Sequence, residues 1–261
     1  MDSKKIIINA DDFGRSVEIN DAIIESFRKH VITDTSVMAT CKVGLSDLKN
    51  KIGSLTDKQV FQHVGCHLCL TLGKPLTQEM NSTKYVKDGE FIDSFKIKKS
   101  IFLDKHERNL VYNELQAQIH RIRETLGVNI SHIDSHQHVH FGLDLLPIVV
   151  KLCKEEKIPY LRIPSNSKGL SLKSKIATWL KISYIKLHGI KTVDFFGAPS
   201  QILSSYKKNT GVVEAMVHPM YNSKGEIVNK VRIHEADQCE ILELQMSAFE
   251  DYKKETYSNL L

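Results

Sequence analysis

Short apolar runs alternate with amphipathic segments along most of the chain. The runs are rich in β-branched residues, which is typical of strands buried on both faces, whereas the amphipathic segments place apolar residues at helical spacing. The predicted strands are 5–10, 35–40, a stretch within 60–70, 130–135, 160–163, 192–195 and 212–217. The predicted helices are 18–29, 45–52, 106–126, 143–156, 170–188, 199–207 and 234–249.

About seven β/α units over 261 residues predict an α/β protein with a parallel sheet, either closed into a barrel or open and doubly wound. No Gly-x-Gly-x-x-Gly motif follows the first strand, which argues against a dinucleotide-binding fold. We therefore expect an irregular (β/α) barrel of about seven strands, formed by residues 1–261 as a single domain. The stretch around residues 71–104 breaks the rhythm, and a long insertion of this kind is either a binding loop or lid, or a variable surface segment.

Composition and charge narrow the class of partner. The net charge of +5 comes from lysines spread along the chain, so we expect no nucleic-acid partner. The chain begins with a predicted strand instead of a secretory leader, and no apolar stretch approaches the roughly 20 residues that cross a bilayer. Together with five scattered cysteines, this predicts a cytoplasmic protein with reduced thiols and no membrane partner. Cys66 and Cys69 form a Cys-x-x-Cys pair, but their segment alternates like a strand, so we expect packed thiols and not a redox or zinc motif.

Ionisable side chains follow several predicted strands at the ends where parallel α/β proteins bind ligands. They are Asp11 and Asp12 after the first strand, His67 after the third, Asp134, His136, His138 and His140 after the fourth, and His218 after the last. A shared edge of the sheet would bring these side chains together.

Taken singly, some of these residues have ordinary explanations. Asp11 and Asp12 could cap the following helix, and a lone His67 in a strand is more often a core residue. Two adjacent carboxylates nevertheless repel each other unless a cation neutralises them. Residues 132–140 contain four histidines in nine positions, which could point one way if the segment is extended. A mixed set of aspartate and histidine leaves coordination positions open for water and substrate, so the pattern indicates a catalytic metal site.

Three motifs resemble those of a known family. Residues 9–14 (Asn-Ala-Asp-Asp-Phe-Gly), 65–71 (Gly-Cys-His-Leu-Cys-Leu-Thr) and 132–140 (His-Ile-Asp-Ser-His-Gln-His-Val-His) closely resemble the YdjC-like carbohydrate deacetylases, which include chitooligosaccharide deacetylases. Val217-His218-Pro219 is similar to the late His-Pro motif of that family, and residues 158–162 are similar to its Arg-bearing fifth strand. The resemblance spans nearly the whole chain and is weakest between Leu72 and Asp104. Cys66 and Cys69 stand where apolar residues are expected.

The resemblance implies an irregular barrel of the glycoside hydrolase/deacetylase type that binds one divalent ion, Mg²⁺ or Zn²⁺. It implies Asp12, His67 and His136 as metal ligands, Asp11 as the general base and His218 as the general acid. We assign His138, His140, Arg162 and Asp134 to substrate contacts or to orienting these groups.

We therefore expect a metal-dependent hydrolase that removes N-acetyl groups from acetylated amino sugars or short oligosaccharides. A glycosidase fits less well, because it needs two carboxylates on opposite sides of the glycosidic bond, at least about 5 Å apart. Asp11 and Asp12 are too close in sequence for this arrangement, and the histidines would have no clear role. Another metal-dependent amidohydrolase and a non-catalytic sugar-binding protein stay open as alternatives. The sugar, the metal and the formation of a homodimer are not determined by the sequence.

Overall fold

The computed structural model describes residues 4–54, 63–92, 103–166, 170–206, 208, 210–230 and 235–260. In chain order the strands are β1 (Lys4–Phe13), β2 (Asp34–Val37), β3 (His63–Leu68), β4 (Val86–Lys87), β5 (Glu90–Phe91), β6 (Asn129–Ser135), β7 (Tyr160–Leu161), β8 (Phe195–Gly197), β9 (Gly211–Val217), β10 (Pro219–Tyr221), β11 (Ile227–Asn229) and β12 (Lys253–Lys254). The α-helices are α1 (Val17–Arg28), α2 (Lys42–Ser54), α3 (Lys105–Leu126), α4 (Leu145–Glu155), α5 (Leu172–Leu187), α6 (Pro199–Ser205) and α7 (Leu242–Ser247).

Parallel strands form the main sheet. Its order is β7-β6-β3-β2-β1-β9-β8, and β12 pairs with the start of β1. The pairs β1–β9, β3–β6 and β8–β9 are parallel, whereas the small hairpins β4–β5 and β10–β11 are antiparallel. Helices alternate with the parallel strands, so the predicted fold class, an irregular (β/α) barrel of about seven strands, is confirmed.

The described chain divides into two compact units, and β2 contributes to both. The first unit spans Met1–Phe13, Glu18–Thr35 and Arg162–Leu261. In it, β1 runs beside β9 from Lys4 opposite Gly211 to Ala10 opposite Val217, and its isoleucines Ile6–Ile8 are fully buried. Because the two strands are parallel, their carboxyl ends, which carry Asp11 and His218, lie at the same edge.

The second unit spans Gly14–Val17 and Ser36–Leu161. Here β3 lies between the second half of β2 and β6, and the register sets His67 directly opposite Asp134. The main helix of this unit is α3, which begins with a capping box between Asp104 and Glu107 and ends at Gly127 in the left-handed conformation, φ 65°. These local signals account for the agreement between the predicted helix, 106–126, and the observed one.

The predicted closing helix over 234–249 is wrong. Residue 234 lies outside the described residues, and Cys239 is extended (φ −89°, ψ 152°), so that α7 covers only Leu242–Ser247. The backbone here is used by β11: Asn229 N donates to Glu240 O, and Val228 forms a bridge with Ile241. Apolar spacing alone could not reveal this long-range pairing.

The stretch predicted as a long insertion, 71–104, is described up to residue 92 and from residue 103. Its described part contains a 3₁₀ turn (Gln78–Ser82) and the β4–β5 hairpin, and Met80 and Phe91 are buried. Glu114 on α3 anchors it, because this fully buried carboxylate accepts hydrogen bonds from Leu76 N and Thr77 N at 3.0 and 2.8 Å. The described part of the insertion is therefore attached to α3.

Among the described residues, none of the helices has the length and apolar character needed to span a bilayer.

Candidate functional site

Asp11 lies at the carboxyl end of β1 and is bound by a buried arginine. Arg162 donates from Nη1 to Asp11 Oδ2 (2.8 Å) and from Nη2 to Asp11 Oδ1 (2.7 Å), which is the bidentate geometry of a guanidinium–carboxylate pair. Asn9 Nδ2 also donates to Oδ1 at 2.9 Å. Arg162 is fully buried and Asp11 is 2% exposed, so the carboxylate is held in one orientation. Of the two roles assigned to Arg162, a substrate contact or the orientation of another group, this contact favours the second.

The same arginine contacts a second carboxylate that sequence reasoning missed. Arg162 Nε and Nη2 lie 2.8 and 2.7 Å from Glu214 Oε1, and Tyr257 Oη donates to Glu214 Oε2 at 2.7 Å. Burial, followed by the charge of Glu214, raises the pKa of Tyr257 well above its usual value. A signal for Glu214 existed in the sequence, because it is the single charged residue within the apolar β9 strand.

His218 follows β9 and lies beside Asp11. Its Nε2 is 4.0 Å from Asp11 Oδ2, and the side chain is 35% exposed, so it is accessible to a ligand. Its backbone is fixed on both sides, because His218 N donates to Asn229 Oδ1 (2.9 Å) and His218 O accepts from Lys230 N (2.9 Å). The first unit therefore brings together three of the predicted residues: Asp11, Arg162 and His218.

Asp12 has an unusual backbone conformation. It is 4% exposed and has φ 69°, in the left-handed region that non-glycine residues rarely adopt. Such a conformation costs on the order of 1–3 kcal/mol and often occurs at functional sites. The positive φ of Asp12 interrupts the regular extension of β1 one residue before the strand ends at Phe13.

In the second unit, a buried carboxylate and a hydroxyl orient His67. Its Nδ1 lies 2.9 Å from Asp134 Oδ1 and 3.1 Å from Ser36 Oγ, and Ser36 Oγ donates to Asp134 Oδ2 at 2.8 Å. A carboxylate that accepts from Nδ1–H fixes the tautomer and directs Nε2 to a ligand, as is common for metal-binding histidines. Ser36 is a contributor that the sequence analysis did not identify.

His136 lies next to His67. Their ring centroids are 5.7 Å apart with an interplanar angle of 68°, and a ligand nitrogen of one ring lies within 4.8 Å of a ligand nitrogen of the other. His136 is partly exposed, whereas His67 is buried. Both predicted imidazole ligands of this unit are therefore brought together.

The remaining histidines of the 132–140 segment do not line up with His136. The segment is extended only to Ser135, after which Gln137 and His138 adopt left-handed conformations (φ 55° and 56°) inside a 3₁₀ turn. His140 is turned inward, where its Nδ1 forms a short hydrogen bond with Ser135 Oγ. An alignment of all these side chains would require an extended chain, and the turn prevents it.

The Cys-x-x-Cys pair has no features of a redox centre. Cys66 and Cys69 are buried in the second unit, and burial raises the pKa of both thiols. Gln118 on α3 binds both the backbone N and O of Cys69, at 2.9 and 2.7 Å, which fixes the chain just after β3. The prediction of packed thiols agrees with this environment.

A comparison with known families agrees with the motifs. The model of the YdjC-like protein family matches residues 5–255, which is nearly the whole chain. The chain belongs to the YdjC-like protein family. The resemblance found in the sequence motifs is thereby confirmed.

Relatives of this YdjC-like chain include proteins named for deacetylation. A carbohydrate deacetylase of Vibrio parahaemolyticus is 32% identical over 221 residues, which cover 83% of this chain and 78% of that protein. A chitooligosaccharide deacetylase of Klebsiella pneumoniae is 35% identical over 153 residues, which cover 59% of this chain and 57% of that protein. A solved structure from Enterococcus faecalis V583, described as a candidate cellobiose-phosphate cleavage protein, has a TM-score of 0.73, covers 99% of both chains and is 24% identical. The last likeness concerns the fold alone.

Proposed function

We propose that this YdjC-like protein is a metal-dependent hydrolase that removes N-acetyl groups from acetylated amino sugars or short oligosaccharides. The observation that carries the proposal is the pair of preset groups: Asp11 held by Arg162, and His67 held by Asp134. The names of the relatives support acetylated carbohydrate as the substrate class.

The donor set fits a divalent ion, which we propose to be Mg²⁺ or Zn²⁺. We propose Asp12, His67 and His136 as its ligands, because they stand at the motif positions for which the family resemblance implies that role; His67 and His136 are the two that the second unit brings together. One carboxylate and two imidazoles are ligands suited to such ions and leave coordination positions for substrate and water.

When bound, the ion would supply Lewis acidity that polarises the acetyl carbonyl and makes a nearby water more acidic. The protein residues would carry the protons. Asp11, aligned by Arg162, takes a proton from the water while the water oxygen bonds to the acetyl carbon. His218 then donates a proton to the sugar nitrogen as the C–N bond breaks, and acetate and a free amine leave. The 4.0 Å between His218 Nε2 and Asp11 Oδ2 suits two groups that act on the same amide.

The experiment that tests this proposal is the measurement of acetate release from N-acetylglucosamine oligomers. We expect release by the wild-type protein, loss of release in chelator, and recovery on addition of Mg²⁺ or Zn²⁺. Asp11→Asn, Asp12→Asn and His136→Ala should each lower turnover by at least about 100-fold.

Two exposed residues provide matched controls. Asp251→Asn and His106→Ala make the same chemical changes on the surface, and both should retain wild-type turnover. Persistent deacetylation in chelator, or in Asp12→Asn, would contradict the metal-dependent mechanism. Binding of oligomers without any acetate release would favour a non-catalytic sugar-binding protein.

A further inference from the structure

We propose that Glu214 and Tyr257 are positioning residues for Asp11 and act on it through Arg162. This inference rests on the proposed role of Asp11 as the base. Each acts by determining where the arginine, and therefore the Asp11 carboxylate, is held.

The guanidinium of Arg162 is fixed on two edges and on one face. One edge (Nη1 and Nη2) donates to both oxygens of Asp11, and the other (Nε and Nη2) faces Glu214 Oε1. Its Cζ lies 4.8 Å from the centroid of the Phe196 ring, which packs against the guanidinium plane. Because the group is planar and rigid, fixing one edge on Glu214 fixes the direction in which the other edge presents Asp11.

Glu214 is itself held at both carboxylate oxygens. Arg162 binds Oε1, and Tyr257 Oη donates to Oε2 at 2.7 Å. Glu214 lies in β9 between two strands, with Ile7 of β1 on one side and Phe196 of β8 on the other. Its backbone cannot shift without disturbing the central pairing of the first unit.

Tyr257 brings the C-terminal segment into this network. The segment is tied to β1 by the parallel β12 pairing and by the hydrogen bond from Glu255 N to Ile6 O, 2.9 Å long. Tyr257 is 1% exposed, and its backbone N donates to Asp34 Oδ1 at 3.3 Å. The buried Tyr257 hydroxyl thus reaches Glu214 from a segment of the chain that lies outside all of the motifs described above.

A purely charge-balancing role for Glu214 does not account for this arrangement. Asp11 alone matches the single positive charge of Arg162, and burying a second carboxylate costs free energy. Both Asp11 and Glu214 are almost completely buried around one guanidinium. What Glu214 adds is a second fixed contact that defines the rotation of the guanidinium plane.

The test is a double-mutant cycle on acetate release from N-acetylglucosamine oligomers by the metal-loaded protein. Tyr257→Phe should lower kcat about tenfold or less, as expected for one lost hydrogen bond to a charged group, and should leave KM unchanged. Glu214→Gln should lower kcat roughly 10- to 100-fold, because a misaligned base loses that much. In the Asp11→Asn background neither substitution should reduce the residual turnover further, since the residue they position is gone.

Controls separate positioning from loss of structure. Tyr206→Phe also removes a buried hydroxyl, which donates to Thr210 O outside this network, and it should keep wild-type kcat. The thermal stabilisation by added Mg²⁺ or Zn²⁺ should be the same in Tyr257→Phe and in the wild type. A lost ion response would assign the network to metal binding and overturn the proposal.

The outcomes distinguish this inference from the proposed function. If the effects of Glu214→Gln and Asp11→Asn simply multiply, the positioning role is refuted while the hydrolase proposal stands. If the wild-type protein releases no acetate, or if Asp11→Asn keeps the wild-type rate, both proposals fail together. If Glu214→Gln does not fold, the same cycle with Tyr257→Phe decides the question.

Discussion

Gly65→Ala tests how closely β3 is packed around the candidate ligand His67. A Cβ at Gly65 would lie 2.3 Å from His132 Nε2, 2.5 Å from His132 Cε1 and 2.8 Å from Ser36 Cβ. His132 is fully buried and its Nδ1 lies 3.0 Å from Ser131 Oγ, while Ser36 binds the carboxylate that orients His67. Neither neighbour can move away without breaking buried contacts.

The expected cost follows from these distances. Overpacking a core typically costs about 1–3 kcal/mol, and contacts below 3.0 Å to two constrained neighbours place this substitution at the upper end, about 3 kcal/mol. Such a loss is a large share of a total stability of roughly 5–15 kcal/mol. Urea unfolding at neutral pH should show a lower midpoint for Gly65→Ala with an unchanged m value.

A cycle with His132→Ala isolates the cause. Without the ring, the two shortest contacts disappear and the 2.8 Å contact to Ser36 Cβ stays, so the cost of Gly65→Ala should fall to about 1 kcal/mol. Gly142→Ala is the matched control, because its nearest atom would be 3.3 Å away, and we expect a change below about 1 kcal/mol. An equal cost in both His132 backgrounds would refute the reasoning, as would a cost below 1 kcal/mol in the wild type.

Three further predictions follow from buried or capping groups. Asp104→Ala removes the capping box of α3 and should lower the unfolding free energy by about 1 kcal/mol, measured with urea; no change would show that the cap is dispensable. Burial raises the pKa of Asp34 well above its usual value, so the folded protein favours the protonated carboxyl group. The contribution of this group to the free energy of unfolding is therefore full below its unfolded pKa and is lost as pH rises through its folded pKa. Asp34→Asn should therefore raise the urea midpoint at neutral pH and flatten its pH dependence, and an unchanged pH slope would contradict this. The N–H groups of Leu76 and Thr77 donate hydrogen bonds to the Glu114 carboxylate, so Glu114→Gln should speed amide hydrogen exchange at these two residues. Exchange within β6 should stay the same. Unchanged exchange at Thr77 would exclude the anchoring role.

Local signals account for what could be predicted from the sequence. The apolar runs located most strands of the main sheet, and helical apolar spacing located α3, whose ends coincide with a capping box at Asp104 and with Gly127. Both signals act within a few residues, so they can be recognised without knowing the fold. The ionisable residues at strand ends were found for a related reason: parallel topology alone brings Asp11 and His218 to one edge.

Long-range contacts account for what was missed. The prediction of the closing helix was wrong because the backbone of residues 240–241 pairs with β11. The spacing of apolar residues within 234–249 does not indicate this distant partner. Glu214 and Tyr257 were missed because their meaning depends on Arg162, which lies 52 residues before Glu214 in the chain. A buried polar network is specified by tertiary position, and a single sequence shows only that a charged residue stands in an apolar strand.

The conformation of Asp12 explains how two neighbouring aspartates can have different tasks. In a regular strand, successive side chains point to opposite faces, so Asp11 can keep the register of β1 and meet Arg162 while its neighbour faces away. The positive φ of Asp12 adds a second change of direction, at the point where β1 ends and Gly14 begins the turn to α1. Glycine would adopt this conformation at lower cost, yet it would lack a carboxylate. The strain at Asp12 is therefore consistent with a side chain needed at that position, and it supports the proposed division between Asp11 as base and Asp12 as ligand.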